Sequence, residues 1–318
     1  MTPAIAAIVP THNRASSLRV TLSSVQEQSL DQDIEIIVVD NASTDDTPAV
    51  VEEANRSSSR TVRYIRESLL GLHYARHAGA RAARAPILAF TDDDAVLSPD
   101  WLRHLLAAYD DPRAGCVGGR ILPRWEVDPP RWILRYPGAL SLLDRGDAFR
   151  ELAWPEDIYG CNFSIRRELL FSLGGFNPDS FGPLWLGDGE TGLLRKVYRA
   201  GWKVFYHPDA VVWHRVPAAR MTLDYMQHRF ANQGAADAYS ALRERPGRVA
   251  ALARAALYGS GALAFFFAAA GLRFTPGEAS CRNAVRQAYC RARSGYEFRL
   301  AFDSKLRAWV GRDDWLTL

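Results

Sequence analysis

The sequence predicts an α/β fold: a mostly parallel sheet covered by helices, with a helical C-terminal extension. Three observations predict it. Apolar runs of strand length alternate with stretches of helical period through the first third of the chain. Polar, chemistry-bearing residues follow those apolar runs at their carboxyl ends, where sheets of this kind bind ligands. Composition then changes towards the end. Residues 215–318 hold 16 Lys and Arg against 8 Asp and Glu in a chain of net charge +3, so the front is acidic and the tail basic.

Ala4–Val9 reads as a short buried strand that stops at Pro10. Arg14–Gln28 is helical, with Leu18, Leu22 and Val25 near the helical repeat. Ile34–Val39 is a second buried strand, closed by the turn and helix-start signal Asp40-Asn41-Ala42-Ser43. A helix follows over Thr47–Asn55, a third strand over Val62–Ile65, an alanine-rich helix over His73–Arg84 and a fourth strand over Pro86–Phe90. Residues 113–216 are less regular, with strands at Cys116–Ile121 and Val204–Tyr206 and a helix over Glu190–Ala200 stopped by Gly201. The last hundred residues read as helical.

Bulk properties exclude several classes. With 318 residues and 48% hydrophobic content the chain has ample material for a core, so global disorder is excluded. The small net charge argues against a dedicated nucleic-acid binder. Cys116, Cys161, Cys281 and Cys290 form no CxxC pair, which argues against a zinc site and fits a reducing compartment. The N-terminus turns polar by Thr11 and has no basic n-region, so no secretory signal and a cytoplasmic location are expected.

The chemistry gathers at three strand ends. Thr91-Asp92-Asp93-Asp94 follows the apolar Ile87–Phe90 run, and adjacent carboxylates repel unless a cation or solvent compensates. In an extended turn Asp92 and Asp94 point one way and Asp93 the other. Magnesium or manganese takes such oxygen ligands and bridges to substrate phosphates; the plain alternative is a solvated loop capping the next helix. Asp40 ends the second strand at the same edge and suits a base N–H or a ribose hydroxyl. Its plain alternative is a cap for Thr47–Asn55, a task open to Ser43 or Thr44 as well. Pro10, Thr11, His12, Asn13 and Arg14 follow the first strand as nucleotide contacts. Arg76 either meets the donor or faces solvent. Gly187-Asp188-Gly189-Glu190-Thr191-Gly192 has dinucleotide-type glycine spacing, but no buried strand precedes it. Its carboxylates matter more: Glu190 opens a helix, whose dipole favours the ionised form, and an ionised carboxylate beside Trp185 suits a general base. His214 alone reads as structural; beside a carboxylate cluster it is a candidate metal ligand.

In order, Val9-Pro10-Thr11-His12-Asn13-Arg14, Val38-Val39-Asp40-Asn41-Ala42-Ser43-Thr44-Asp45, Ala75-Arg76, Phe90-Thr91-Asp92-Asp93-Asp94, Gly160-Cys161-Asn162, the acidic turn before Leu193, and Ala200-Gly201-Trp202 leading to Val212-Trp213-His214 resemble the family 2 glycosyltransferases of GT-A fold. The resemblance runs over about residues 4–216. It implies a GT-A, Rossmann-like catalytic domain at 1–216, with a nucleotide-binding half at 1–112 and an acceptor/catalytic half at 113–216; residues 217–318 lie outside the resemblance and read as a helical C-terminal extension. It also implies roles: Asp40 on the nucleobase, Asp92 on the ribose or nucleotide beside Asp93, Asp94 as the metal ligand of a DxD motif, and His214 as a second ligand. The family shows Glu-Asp before the helix, with the Asp as base. Counted back from Ala200-Gly201 that Asp falls at Glu190 and the Glu at Gly189, which leaves the base between Glu190 and Asp188. The implied activity is inverting transfer of a hexose from a nucleotide sugar, a UDP-sugar first. The acceptor is a hydroxyl on a glycan, a lipid-linked precursor or a small molecule, and the metal is Mn2+ or Mg2+.

The rival readings are a non-catalytic nucleotide-sugar or glycan binder, a nucleotidyltransferase, and an oxidoreductase. A nucleotidyltransferase would carry an early glycine-rich basic loop. An oxidoreductase would carry a glycine fingerprint after the first strand, where this chain has Pro10-Thr11-His12-Asn13. In the tail, Arg254 and Arg273 bracket the apolar Ala255–Leu272. A basic aromatic segment follows, with Arg282, Arg286, Arg291, Arg293, Tyr296, Phe298 and Arg299. Two roles compete for it: a packed helical cap or homodimer contact, and peripheral attachment to the cytoplasmic membrane face.

Overall fold

The computed structural model describes residues 2–178, 180, 181, 184, 185, 187–271 and 278–316. The first half runs β1 (Ile5–Thr11), α1 (Ala15–Gln26), β2 (Ile34–Asn41), α2 (Thr47–Ser57), β3 (Val62–Glu67), α3 (Leu72–Ala82), β4 (Ile87–Phe90), β5 (Ala95–Leu97), α4 (Trp101–Ala107) and β6 (Ala114–Trp125). The second half runs β7 (Arg150–Leu152), β8 (Phe163–Arg166), α5 (Arg167–Ser172), β9 (Ser180–Phe181), β10 (Leu184–Trp185), α6 (Gly189–Arg199), β11 (Lys203–Val216), α7 (Leu223–Glu244), α8 (Arg248–Gly271), α9 (Glu278–Phe302) and α10 (Ser304–Val310).

The main sheet has the order β3-β2-β1-β4-β8-β6-β11-β5, with β7 on β11. β1 to β4 are parallel, as are β6 and β11; β8 is antiparallel to both β4 and β6. Alternate strand residues feed two apolar layers. Ile5, Ala7, Val9, Ile36 and Val38 meet Leu18, Leu22 and Val25 of α1, Val50 and Val51 of α2 and Trp101 of α4. Ala6, Ile8, Ile37, Val39 and Phe90 meet Ala75 and Ala80 of α3, Leu170 of α5 and Leu193 and Val197 of α6. Both faces are covered, which is why these strands read as unbroken apolar runs.

Several expected boundaries move. β1 does not stop at Pro10 but pairs with β2 as far as Thr11. β4 ends at Phe90 opposite Ile8, so beyond it Pro10 has a strand on one side only and its missing N–H breaks no ladder there. The expected strand Val204–Tyr206 and the strand-like Ala210–Trp213 are one strand, β11, joined through an irregularity between His207 and Val212. β5, β7, β8, α4 and α5 were not expected, being too short for periodicity to separate from loop. The N-cap of α2 is Asp46, not Asp40, Ser43 or Thr44, and it makes no side-chain cap bond; the preceding Asp45 Oδ1 accepts from the Thr47 backbone N–H (3.2 Å) and hydroxyl (2.6 Å).

The last helices stack rather than interleave with the sheet. α7 packs on α9 and α10, and α8 packs on α9. Ala235, Tyr239 and Leu242 of α7 bury against Leu300, Leu306 and Val310. Met226 of α7 and Val285 of α9 join Ile121 and Val216, so the α7 and α9 stack shares a core with the ends of β6 and β11.

Candidate active site

Chain topology brings the acidic triplet and the late histidine together. β4 delivers Asp92, Asp93 and Asp94 at its carboxyl end. The next strand, β5, pairs antiparallel with β11 so that Ala95 stands opposite His214. Carboxylate oxygens of Asp92 and Asp94 and a ring nitrogen of His214 lie within 4.8 Å of one another. Asp94 Oδ1 is 3.2 Å from His214 Nε2, yet it is buried without a hydrogen-bond partner, as is His214 Nδ1. A hard donor set with an orphaned, inward-facing carboxylate oxygen fits a divalent cation. Asp93 turns away, as an extended turn requires, and accepts from the Thr11 hydroxyl (2.7 Å) and from Arg14 (3.0 Å).

Cations bind the triplet from both sides. Arg14 reaches Asp94 Oδ2 at 3.1 Å, and Arg220 reaches the same oxygen at 2.9 Å and His214 Nε2 at 3.3 Å. Burial alone would raise the Asp94 carboxyl, but His214, Arg220 and Arg14 hold it down at about 2. Burial does raise Asp93, to about 6, against Arg14 and Thr11. Burial also raises Asp92, against the pull of Arg76 and with the repulsion of Asp94.

Glu190 closes the far side. It is the second residue of α6, not the first. Its Oε1 accepts from the Gly160 backbone N–H at 3.1 Å, and Arg76 reaches its Oε2 at 3.3 Å. Burial works against its charge, but Arg76 and the backbone donors hold it below the usual carboxylate range, so it stands ionised. Arg76 does not face solvent: it is buried on α3, 3.9 Å from Asp92 and stacked over Phe176 (5.1 Å). A Cβ on Gly160 would lie 2.0 Å from its Nη2, so the guanidinium occupies space that only glycine leaves open there. The Trp185 side chain, expected beside Glu190, lies outside the described residues.

Asp188 sits differently. Its oxygens accept from Asn177 Nδ2 (2.7 Å), Arg195 (3.2 Å) and the Ser240 hydroxyl of α7 (2.8 Å), and its side chain is 4% exposed. It ties α6 to α7. Gly192 is needed because a Cβ there would strike Asn177 and Asp188 at 2.1 Å.

Asp40 is wholly buried at the β2 end. Ser43 N–H donates to one oxygen (2.7 Å), while the Tyr64 hydroxyl (2.5 Å) and Arg66 (3.0 Å) donate to the other. Asn13 holds a left-handed φ of 52°, accepts from Thr44 N–H (2.7 Å) and so locks the loop after β1 to the loop after β2. Tyr64, Arg66 and Arg220 were missed. The first two had a signal: they alternate on β3, where Arg66 stands opposite Asp40 in register. Arg220 had none, lying beyond the boundary drawn at residue 216.

Similar proteins agree on the class. A glucosyl-dolichyl phosphate glucuronosyltransferase of Haloferax volcanii is 25% identical over 225 residues, 70% of this chain and 71% of that one. A validoxylamine A glucosyltransferase of Streptomyces hygroscopicus subsp. jinggangensis is 35% identical over 236 residues; the match takes in 64% of this chain and 55% of the relative's length. Among solved structures, a Pyrobaculum calidifontis mannosyltransferase in complex with GDP-Man and Mn2+ matches with a TM-score of 0.64 at 23% identity, over 96% of this chain and 88% of that one. That likeness establishes the GT-A fold, helical extension included. The Glycosyl transferase family 2 model matches residues 6–173, more than half of the chain, and the protein belongs to that family.

Proposed function

We propose that the protein transfers a hexose from a nucleotide sugar, a UDP-sugar first, to an acceptor hydroxyl with inversion at the anomeric carbon. The observation that carries this reading is the placement of Glu190. An ionised carboxylate is fixed by the Gly160 N–H and Arg76 across from the Asp92, Asp94 and His214 cluster. Asp94 and His214, with Asp92 at the third corner, would hold Mn2+ or Mg2+. When bound, such an ion neutralises charge on the departing diphosphate. Relatives' complexes support both groups: the Pyrobaculum structure holds GDP-Man and Mn2+.

The chain's own residues do the rest. Thr11, Asn13 and Arg14 line the edge beside Asp40 and Asp93, where a nucleotide would lie. Pro10 adds no donor of its own; it carries the chain to them. Asp40 reaches a base only if Arg66 or Tyr64 gives up its hydrogen bond, so base recognition would involve all three. Glu190 accepts the acceptor's hydroxyl proton as that oxygen bonds to the anomeric carbon. The bond from that carbon to the phosphate oxygen breaks, and the nucleoside diphosphate leaves with the electron pair. Asp188, saturated by Asn177, Arg195 and Ser240, is the lesser candidate for the base. Four free cysteines, three of them buried, support a reducing, cytoplasmic setting.

The test is Glu190→Gln with a labelled nucleotide sugar. Turnover should fall by roughly two to four orders of magnitude with donor affinity kept, because a base acts on the transition state. Full turnover in that variant, with loss in Asp188→Asn, would move the base to Asp188.

A further inference from the structure

The catalytic reading leaves α8 unexplained. Over Arg248–Ala268 it has a mean hydropathy of 1.5, enough by length and composition to cross a membrane, yet only 11% of the stretch is buried. A core helix of such composition would be covered, and a leader would lie at the start of the chain; this one is neither. Its packing partner is α9, itself packed on α7, so α8 forms the outermost layer. Val249, Leu257, Leu263, Phe266 and Phe267 face outward, and Val249 is 82% exposed. No charged residue follows Arg254 on this helix, and Arg254 turns inward to the buried Glu297 at 2.7 Å. Water gains nothing from such a face, and soluble chains rarely expose one.

Cations rim it. Arg282, Arg286, Arg291 and Arg299 are exposed along α9. Arg286 lies over the Phe265 ring (5.6 Å) and Arg248 over Phe302 (5.5 Å), which places guanidinium groups at the border of the apolar surface. Arg291 and Ser294 join Leu263, Phe266 and Gly259 around a groove of about 410 Å³ between α8 and α9.

We propose that the outer face of α8 docks in the plane of an anionic bilayer, with the α9 arginines on lipid phosphates. Charge chooses the occupant. Two copies joined through this face would bring together two tails that each hold 16 basic against 8 acidic residues, whereas an anionic surface complements them. Packing chooses the orientation. The inner side of α8 is committed to α9, and a helix crossing the bilayer would draw the exposed α9 arginines into hydrocarbon. In-plane burial keeps them at headgroup depth, as in other helices with an apolar face and a basic flank.

The test uses the full chain without donor or metal, so that its failure is separate from failure of the catalytic reading. Flotation compares phosphatidylcholine vesicles with mixed phosphatidylglycerol–phosphatidylcholine vesicles, at low and high salt. The mixed vesicles should retain the protein at low salt and release much of it at high salt. The exposed-site double variant Leu257→Glu, Leu263→Glu should lose at least about tenfold in binding. The triple variant Arg282→Gln, Arg286→Gln, Arg291→Gln should weaken binding and flatten its salt dependence. Circular dichroism and nucleotide titration should be unchanged in both. No retention at low salt, or equal retention of the Leu257→Glu, Leu263→Glu protein, overturns the proposal. So does a solution dimer that the double variant dissolves, since the face would then belong to a second copy.

Discussion

Two acidic clusters in this molecule look alike as sequence and differ as chemistry. Both are short carboxylate runs, Asp92-Asp93-Asp94 in the turn after β4 and Asp188-Gly189-Glu190 at the start of α6. Around Asp188 every oxygen finds a donor and the group is closed, whereas around Asp94 a buried oxygen has none. The difference teaches that residue type marks where charge is concentrated, while pairing decides whether that charge is structure or is left over for a ligand. A closed group such as Asp188 should report in stability, and an open one such as Asp94 in binding and turnover; Glu190, held by Arg76 and the Gly160 N–H, goes by its proposed role with the open ones.

The larger effect falls on the open cluster. Asp94→Ala removes the carboxylate shared by His214, Arg14 and Arg220. Mn2+ affinity should drop by roughly a hundredfold or more, beyond the loss typical of outer-shell changes, and metal-dependent donor binding should vanish with it. Unchanged Mn2+ titration in a folded Asp94→Ala protein would remove the metal from this site. Chelation of the wild type should likewise abolish transfer, and added Mn2+ or Mg2+ should restore it.

Gly160→Ala probes the seam between the two clusters. The new methyl would meet the Arg76 guanidinium, which must shift, and Glu190 would lose the partner that keeps it ionised. Turnover should fall by about ten- to a hundredfold, as for misplacement of a catalytic group, with smaller change in donor affinity. A Gly160→Ala enzyme with wild-type turnover would show that Arg76 does not position Glu190.

Asp188→Asn tests the closed cluster. The change keeps the shape but leaves Arg195, 7% exposed, without its buried counter-charge, apart from Glu244 at 3.5 Å. Stability should drop by about 3 kcal/mol in denaturant unfolding, the low end of the range for breaking a buried pair because Glu244 remains, and turnover at low temperature should stay near wild type. The reverse pattern would make Asp188 the functional carboxylate.

The sheet was legible because β1 to β4 are covered on both faces, so burial wrote itself into Ile5–Val9, Ile34–Val39 and Ile87–Phe90 as continuous apolar runs. The short antiparallel strands β5, β7 and β8 carry too few residues for a period to show, although β5 is what aligns His214 with Asp94. Asp92, Asp94, His214 and Glu190 were visible as chemistry after strands and before a helix. The burial of Asp40 beneath Tyr64 and Arg66, and the Arg220 contact to Asp94, depend on register and on a loop beyond β11, which local sequence does not encode.

The smallest effect concerns His77, a closed group beside the site. It is buried on α3, and its Nε2 accepts the Phe176 backbone N–H at 2.9 Å. Burial, with repulsion from His73, Arg81, Lys196 and Arg76, lowers its pKa to about 3. To become charged it must take a proton at the very nitrogen that accepts from Phe176. An unfolded chain protonates this histidine below about 6.5, while the folded one stays neutral until about 3. Between those values the unfolded state binds more protons, so stability is fully present above about 6.5 and declines as pH falls. The slope from this group is about 1.4 kcal/mol per pH unit, hence about 2 kcal/mol lost by pH 5. His73, lowered to about 4 by burial and Arg76, adds in the same direction. Thermal melts between pH 7.5 and 5 should show the decline, and His77→Gln, whose amide oxygen can take the Phe176 N–H, should start less stable and flatten the curve. Nucleotide affinity at fixed metal should not follow that difference, because His77 contributes to the closed part of the molecule; a matching shift in affinity would place it in the open one.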